Sequence, residues 1–249
     1  MAVLQMGAAD PRAGTWTLIS AQSSLDPPNK LSITTVDKQS HVVMTGETRI
    51  DFTAKVDGHD TAVPNNPAFD QVELRRIGKS QVVVTEKKAG ALVATIHDKL
   101  SSDGNELTTA TVSQGHPDQT TVWTRSGAKH PNDPFAGEWT EDMSKSRMRQ
   151  GLVLKIVGDG SGGVRFSGDF SYDAHFDGKP YDLKNSRNDT VQLAMVDSHT
   201  VDAVYRRDNQ VTQKDRYVVS ADGRTMTVTS TGAYETGQHF TEKLAFQKQ

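Results

Sequence analysis

The side chains that could bind, transfer a proton or hold a metal are histidines, tyrosines and carboxylates, because the 249-residue chain has no cysteine. That absence excludes disulfides, thiolate catalysis and cysteine-based zinc sites. The 8 histidines are scattered, and none forms a His-x-His or His-x-x-x-His pair. Asp173-x-His175 comes nearest to a paired site, but it lies opposite the aromatic side of its own segment. An exposed polar face accounts for it better than a metal or general-base role, so no metal is expected. Gly158-Asp159-Gly160-Ser161-Gly162-Gly163 lacks the Lys-Ser/Thr of a phosphate cradle and reads as a hairpin loop. No Gly-x-Ser-x-Gly elbow is present. Asp57, Asp103, Asp177 and Asp222 each precede glycine, and turn formation explains all four.

The aromatic residues offer more. Tyr172, Phe176, Tyr181 and Tyr205 fall among polar neighbours, where the earlier half of the chain has Ala54, Val56 and Val84. Core packing explains such a pattern. The functional reading is a pocket in the later half, lined by Tyr172, Phe176, Tyr181 and Tyr205. Arg206-Arg207 beside it would meet an acidic group, although a solvated strand end explains that pair as well.

The elements that must position these residues occur twice. Gly14-Thr15-Trp16 opens one stretch and Gly137-Glu138-Trp139 another, with landmarks in the same order after each. Phe52 to Gly58 answers to Phe170 to Gly178, Gln71 to Leu74 to Thr190 to Leu193, and Asp103-Gly104 to Asp222-Gly223. A repeat of about 115 residues is domain-sized. Residues 12–126 and 135–249 are therefore expected to form two domains, with 127–134, rich in small, polar and proline residues, as linker. Apolar residues that alternate with polar ones mark strands, for example at 31–36, 52–56, 81–86, 91–97, 107–112, 119–125, 170–176, 200–206, 211–219 and 225–231. Ser20–Ser24 and Met143–Arg147 are the best single-turn helix candidates. Roughly nine or ten strands per repeat suit closure into an antiparallel up-and-down barrel, which removes exposed edges. The expected class is all-β, two tandem barrels.

An apolar content of 35% fits strands that are polar on one face. A net charge of −3 without a basic field gives no surface for a phosphate backbone, so nucleic acid is not an expected partner. No apolar run is long enough to cross a bilayer as a helix. Met1 to Asp10 is not itself a signal peptide, but its Gly-Ala-Ala resembles the residues around a cleavage site. The expectation is a periplasmic or secreted protein.

Glycine at the head of a barrel's first strand allows close chain approach, and tryptophan two residues later plugs the floor. Arg125, near the end of the last strand of the first repeat, is expected to stack on Trp16, because first and last strands are neighbours in a closed barrel. With Gly-x-Trp at Trp16 and again at Trp139, the chain resembles the calycin superfamily: lipocalins and related bacterial tandem barrels. There a Gly-x-Trp strand and a late arginine cap the closed end. The second repeat departs from the pattern, with Glu242-Lys243 where the arginine would stand.

The resemblance implies a lumen that takes a small, mostly hydrophobic molecule without a cofactor. Trp16, Arg125, Trp139, Tyr172, Phe176, Tyr181 and Tyr205 are the residues expected around it. A haem ligand, known late in some calycin-like barrels, would fall on His239. Two other functions stay in view. One is a cofactor-independent enzyme of isomerase, cyclase or hydratase type, using Tyr172, Tyr181, Tyr205 and His175. The other is a structural or protein-interaction module with packed interiors. The oligomeric state is left open.

Overall fold

The computed structural model describes residues 10–47, 49–64, 66–113, 118–146, 152–234 and 237–249. Met1 to Ala9 and His116 lie outside the described residues, as does Arg147 of the second helix candidate. Alternating apolar residues put one face of each strand inward, and Asp-Gly turns close the hairpins, so antiparallel pairing builds two sheets. Each sheet runs through ten strands and curls into a nearly closed barrel. Among the described residues the helical content is one 3-10 turn, Ser20–Gln22, on the first helix candidate. No described helix is long and apolar enough to cross a membrane.

The strand order of the first barrel is Ile50–Lys55, Gln39–Thr45, Lys30–Val36, Gly137–Glu141, Gln119–Arg125, Glu106–Ser113, Ala91–Leu100, Gln81–Lys88, Gln71–Ile77 and Asp60–Ala62. The second runs Ser171–His175, Gly163–Ser167, Val153–Gly158, Gly14–Leu18, His239–Lys248, Thr225–Ala233, Gln210–Val219, Thr200–Arg207, Thr190–Met195 and Asp177–Asp182, with Ser24–Asp26 off the path. The glycine-rich segment joins Val153–Gly158 to Gly163–Ser167 as a hairpin, in which Asp159 accepts the Ser161 and Gly163 amides at 2.8 Å each.

The Gly-x-Trp strands are exchanged between repeats. Gly14–Leu18 pairs with Val153–Gly158 and His239–Lys248, whereas Gly137–Glu141 pairs with Lys30–Val36 and Gln119–Arg125. The compact units are accordingly Met1–Ser24 with Gly151–Ala233 and His239–Gln249, and Leu25–Gln150 with Tyr234–Gln238. This division differs from contiguous domains at 12–126 and 135–249. Loop-closure cost grows with the logarithm of length. Only the closure from Arg125 to Gly137 is short here, whereas Gly14–Leu18 closes two much longer loops, so loop entropy does not favour the exchange and strand pairing must offset it. The short segment after Arg125 leads into Gly137–Glu141, which returns as the neighbouring strand of Gln119–Arg125.

This exchange corrects the expected floor contact. Arg125 stacks on Trp139, 3.9 Å from the ring centroid, and not on Trp16. Its guanidinium also donates to the carbonyls of Gly104 (2.8 Å), Ala136 (2.8 Å) and Pro134 (2.6 Å). Trp16 meets Lys248, whose Nζ lies 5.1 Å from the ring centroid and donates to Pro11 O at 3.1 Å. The cation of the second floor is therefore Lys248, not the Glu242-Lys243 position. Gly14 and Gly137 sit at φ +146° and +140°, and a Cβ at either would strike the covering cation, so both heads need glycine. Arg125→Ala is expected to lower the urea-unfolding free energy of its unit by about 3 kcal/mol, and Lys248→Ala by about 1 kcal/mol, since fewer charge-assisted bonds are lost.

Candidate functional site

Strand register decides which side chains face each lumen. In the first barrel Val82 pairs with Asp98, Val84 with Ile96 and Glu86 with Ala94, and these six share the inner face. Thr109 lies directly across from Asp98 on the next strand. Leu74 and Arg76 face inward from Gln71–Ile77, and Trp123 from Gln119–Arg125. Phe135 enters from the segment before Gly137. These residues, with Leu31, Ile33, Val42, Met44, Ile50, Phe52 and Val56, enclose a cavity of about 120 Å³.

The polar groups in this apolar space are few. The Trp123 indole Nε1 donates to Thr109 Oγ1 at 3.2 Å, and the Thr109 hydroxyl donates to Asp98 Oδ1 at 2.7 Å. Burial pushes the Asp98 carboxyl up to about 6, against the opposing pull of the Thr109 bond. Glu86, four residues along the paired strands and about 13 Å away at the usual rise per residue, is pushed up to about 7 by burial alone. Arg76 is held by Asp133 at 2.9 Å and covers the Phe135 ring at 5.1 Å. Burial would raise Asp133, but bonds from Thr35 Oγ1 (2.6 Å), the Phe135 amide (3.1 Å) and Arg76 outweigh it and hold the carboxyl low.

The second lumen, which carries the expected aromatic site, is filled. Phe166 stacks on Tyr172 at 4.8 Å and on Phe170 at 5.2 Å, and Phe170 meets Tyr205 edge-on at 5.9 Å. The hydroxyls of Tyr205 and Tyr217 lie 2.9 Å apart, and that of Tyr217 reaches Asp215 at 3.3 Å. Gln213 donates to the other Asp215 oxygen at 2.8 Å. Burial raises the Asp215 carboxyl, and these bonds partly oppose it. Arg12 is buried over Phe176 at 4.8 Å, paired with Asp10 at 2.9 Å. The remaining space is about 20 Å³, room for one water.

The expected site residues therefore separate. Tyr172 and Tyr205 come together in the packed second core, and Phe176 lies beneath Arg12. Tyr181 sits part-exposed on an edge strand with its hydroxyl on Asp177 at 3.1 Å and its ring 6.0 Å from that of His175, in register with Val191 and, one strand further, Tyr205. Trp16, Trp139 and Arg125 are floor residues. His175 is part-exposed, 3.5 Å from Asp159, while Asp173 pairs with Arg165 at 2.7 Å. His239 is exposed at a strand start. No group of three potential metal ligands occurs among the described residues.

Asp98, Glu86, Thr109 and Trp123 escaped the sequence reading, although a signal existed: charged residues in the inward register of apolar strands. A second missed signal is the longer floor motif. Asp10-Pro11-Arg12-Ala13-Gly14-Thr15-Trp16 matches Asp133-Pro134-Phe135-Ala136-Gly137-Glu138-Trp139. In both, the indole donates to the carbonyl four residues earlier, Trp16 to Arg12 at 2.8 Å and Trp139 to Phe135 at 3.1 Å. The residue in that position projects inward, arginine into the filled barrel and phenylalanine into the hollow one.

Fold and site together define a tandem pair of ten-stranded β-barrels, one hollow and one filled. No family model matches the sequence, and no curated protein matches it. Among solved structures, a protein of unknown function from the DUF3598 family of Nostoc punctiforme is similar at 10% identity, with 96% of each chain covered and a TM-score of 0.29. That likeness assigns nothing to the cavity.

Proposed function

We propose that this protein binds a small, mostly apolar molecule inside the first barrel, in the manner of lipocalin-like (calycin) barrels. The observation that carries the reading is the 120 Å³ apolar cavity of the first barrel, in a chain whose second barrel fills its own interior. Drug-sized ligands occupy about 300–1,000 Å³, whereas a dry cavity of about 150 Å³ takes benzene. The guest is therefore of single-ring size, smaller than a fatty acid or carotenoid. Burying about 200 Å² of such a guest gains about 5 kcal/mol before association costs, which places affinity near the millimolar range.

Toluene and indole, followed by two-dimensional NMR on the full chain, are expected to shift the amides around Ile96, Thr109 and Trp123. Val84→Phe, which fills the lumen, should abolish those shifts. Absence of any shift at those positions in the unmodified chain would overturn the reading. The second barrel suits a structural role and takes no ligand in this proposal. A carboxyl titrating near neutrality in an apolar cavity also favours a second reading, proton transfer at carbon. Ring opening of benzisoxazole that rises with pH and disappears in Asp98→Asn is the outcome that would support it.

A further inference from the structure

Among the described residues, the cavity lining contains two carboxyls and no cation free to meet them. Asp98 has one oxygen held by the Thr109 hydroxyl. Arg76, the cationic side chain in the lining, is already engaged by Asp133 and Phe135. A carboxylate or phosphate guest would bring another negative charge into an apolar space with nothing to neutralise it. A protonated nitrogen has the opposite effect. Its charge is met by a buried carboxylate that otherwise has no ionic partner in the lining.

We propose that the guest of the first barrel is a small amine, with its ammonium group against Asp98 and its hydrocarbon body against Phe52, Leu74, Ile96 and Phe135. This rests on the reading of the cavity as a binding site and adds the class of ligand. The Trp123–Thr109–Asp98 chain holds the carboxyl by Oδ1, and Asp98 itself lines the lumen. Glu86 adds a second negative charge farther along the same face.

The linkage to pH follows from the groups that face the guest. Arg76, Glu86 and Asp98 are the titratable side chains in the lining, and Asp133 stands behind Arg76. Strands Lys30–Val36, Gln39–Thr45, Glu106–Ser113 and Gln119–Arg125 contribute neutral residues to it. Asp133, held low by Thr35, the Phe135 amide and Arg76, stays ionised across the range concerned. The empty cavity holds Asp98 protonated below about 6. An ammonium guest must displace that proton, so affinity rises with pH through that value, and ionisation of the more distant Glu86 at about 7 adds a smaller rise before it levels off.

The test titrates the full chain with benzylamine, benzyl alcohol and toluene at pH 8 and pH 5, read by NMR and by calorimetry in two buffers of different ionisation heat. Benzylamine is expected to bind at least tenfold more tightly than benzyl alcohol at pH 8. The ratio should approach one at pH 5, with net proton release near pH 6. Asp98→Asn should erase the benzylamine advantage at pH 8, so that benzylamine binds no more tightly than benzyl alcohol. Benzyl alcohol or toluene binding as tightly as benzylamine at pH 8 would overturn the amine assignment while the cavity remains a binding site. An advantage untouched by Asp98→Asn would overturn the role of Asp98. If none of the three probes binds, the site reading and the amine assignment fall together.

Discussion

Trp139→Ala is expected to destabilise the barrel built from Leu25–Gln150 by about 3–5 kcal/mol, the cost of removing a fully buried aromatic side chain, and to leave the other barrel nearly untouched. Trp139 is 0% exposed, donates to the Phe135 carbonyl and lies under the Arg125 guanidinium. Its removal opens the floor beneath Phe135, which lines the cavity, so probe binding should disappear with the stability. Hydrogen exchange resolved by segment checks the result. Gln71–Ile77, Gln81–Lys88 and Ala91–Leu100 should lose protection, while Thr190–Met195, Thr200–Arg207 and Thr225–Ala233 keep theirs. Trp16→Ala should give the mirror image, because Trp16 is equally buried but sits in the other sheet. Contiguous repeats would produce the reverse pattern for both variants.

The second large effect is a gain. Asp98→Asn is expected to stabilise the first barrel by about 2 kcal/mol at pH 8 and by almost nothing at pH 4. The sign follows from linkage. Burial places the folded-state carboxyl at about 6, above its ordinary value of 3.8, so between those values the folded chain holds the extra proton. Stability therefore falls as pH rises through that window, and the full penalty persists above it. A shift of about two pK units corresponds to about 3 kcal/mol, reduced here because one face of the carboxyl meets the cavity. Asparagine keeps an acceptor for the Thr109 hydroxyl and carries no charge. Urea titrations at the two pH values check this, and Glu86→Gln should change stability with the same sign.

Much of the architecture was readable from local features. Alternation in Phe52-Thr53-Ala54-Lys55-Val56, the Asp-Gly turns at Asp103 and Asp222 and the repeated Gly-x-Trp are short-range patterns, and short-range patterns specify strands, hairpins and a barrel head. The tyrosines drew attention to the filled lumen for a physical reason. Tyr172, Tyr205 and Tyr217 carry both bulk and hydroxyls that satisfy one another, so they fill space and need no guest. Val84, Ile96 and Leu74 are smaller and leave room. Asp98 looked like one acidic residue among many because its inward position depends on pairing opposite Val82 and Thr109.

Local chemistry in the chain therefore specified two similar all-strand modules and the residues that cap them. Which cap closes which module was settled by long-range pairing, since either Gly-x-Trp segment satisfies the same floor geometry and each ends beside a different cation, Lys248 or Arg125. Where the empty space lies was likewise a property of the assembled interior. A void is the difference between the volume a barrel encloses and the volume its inward side chains occupy, and that difference exists only once the strands are in register.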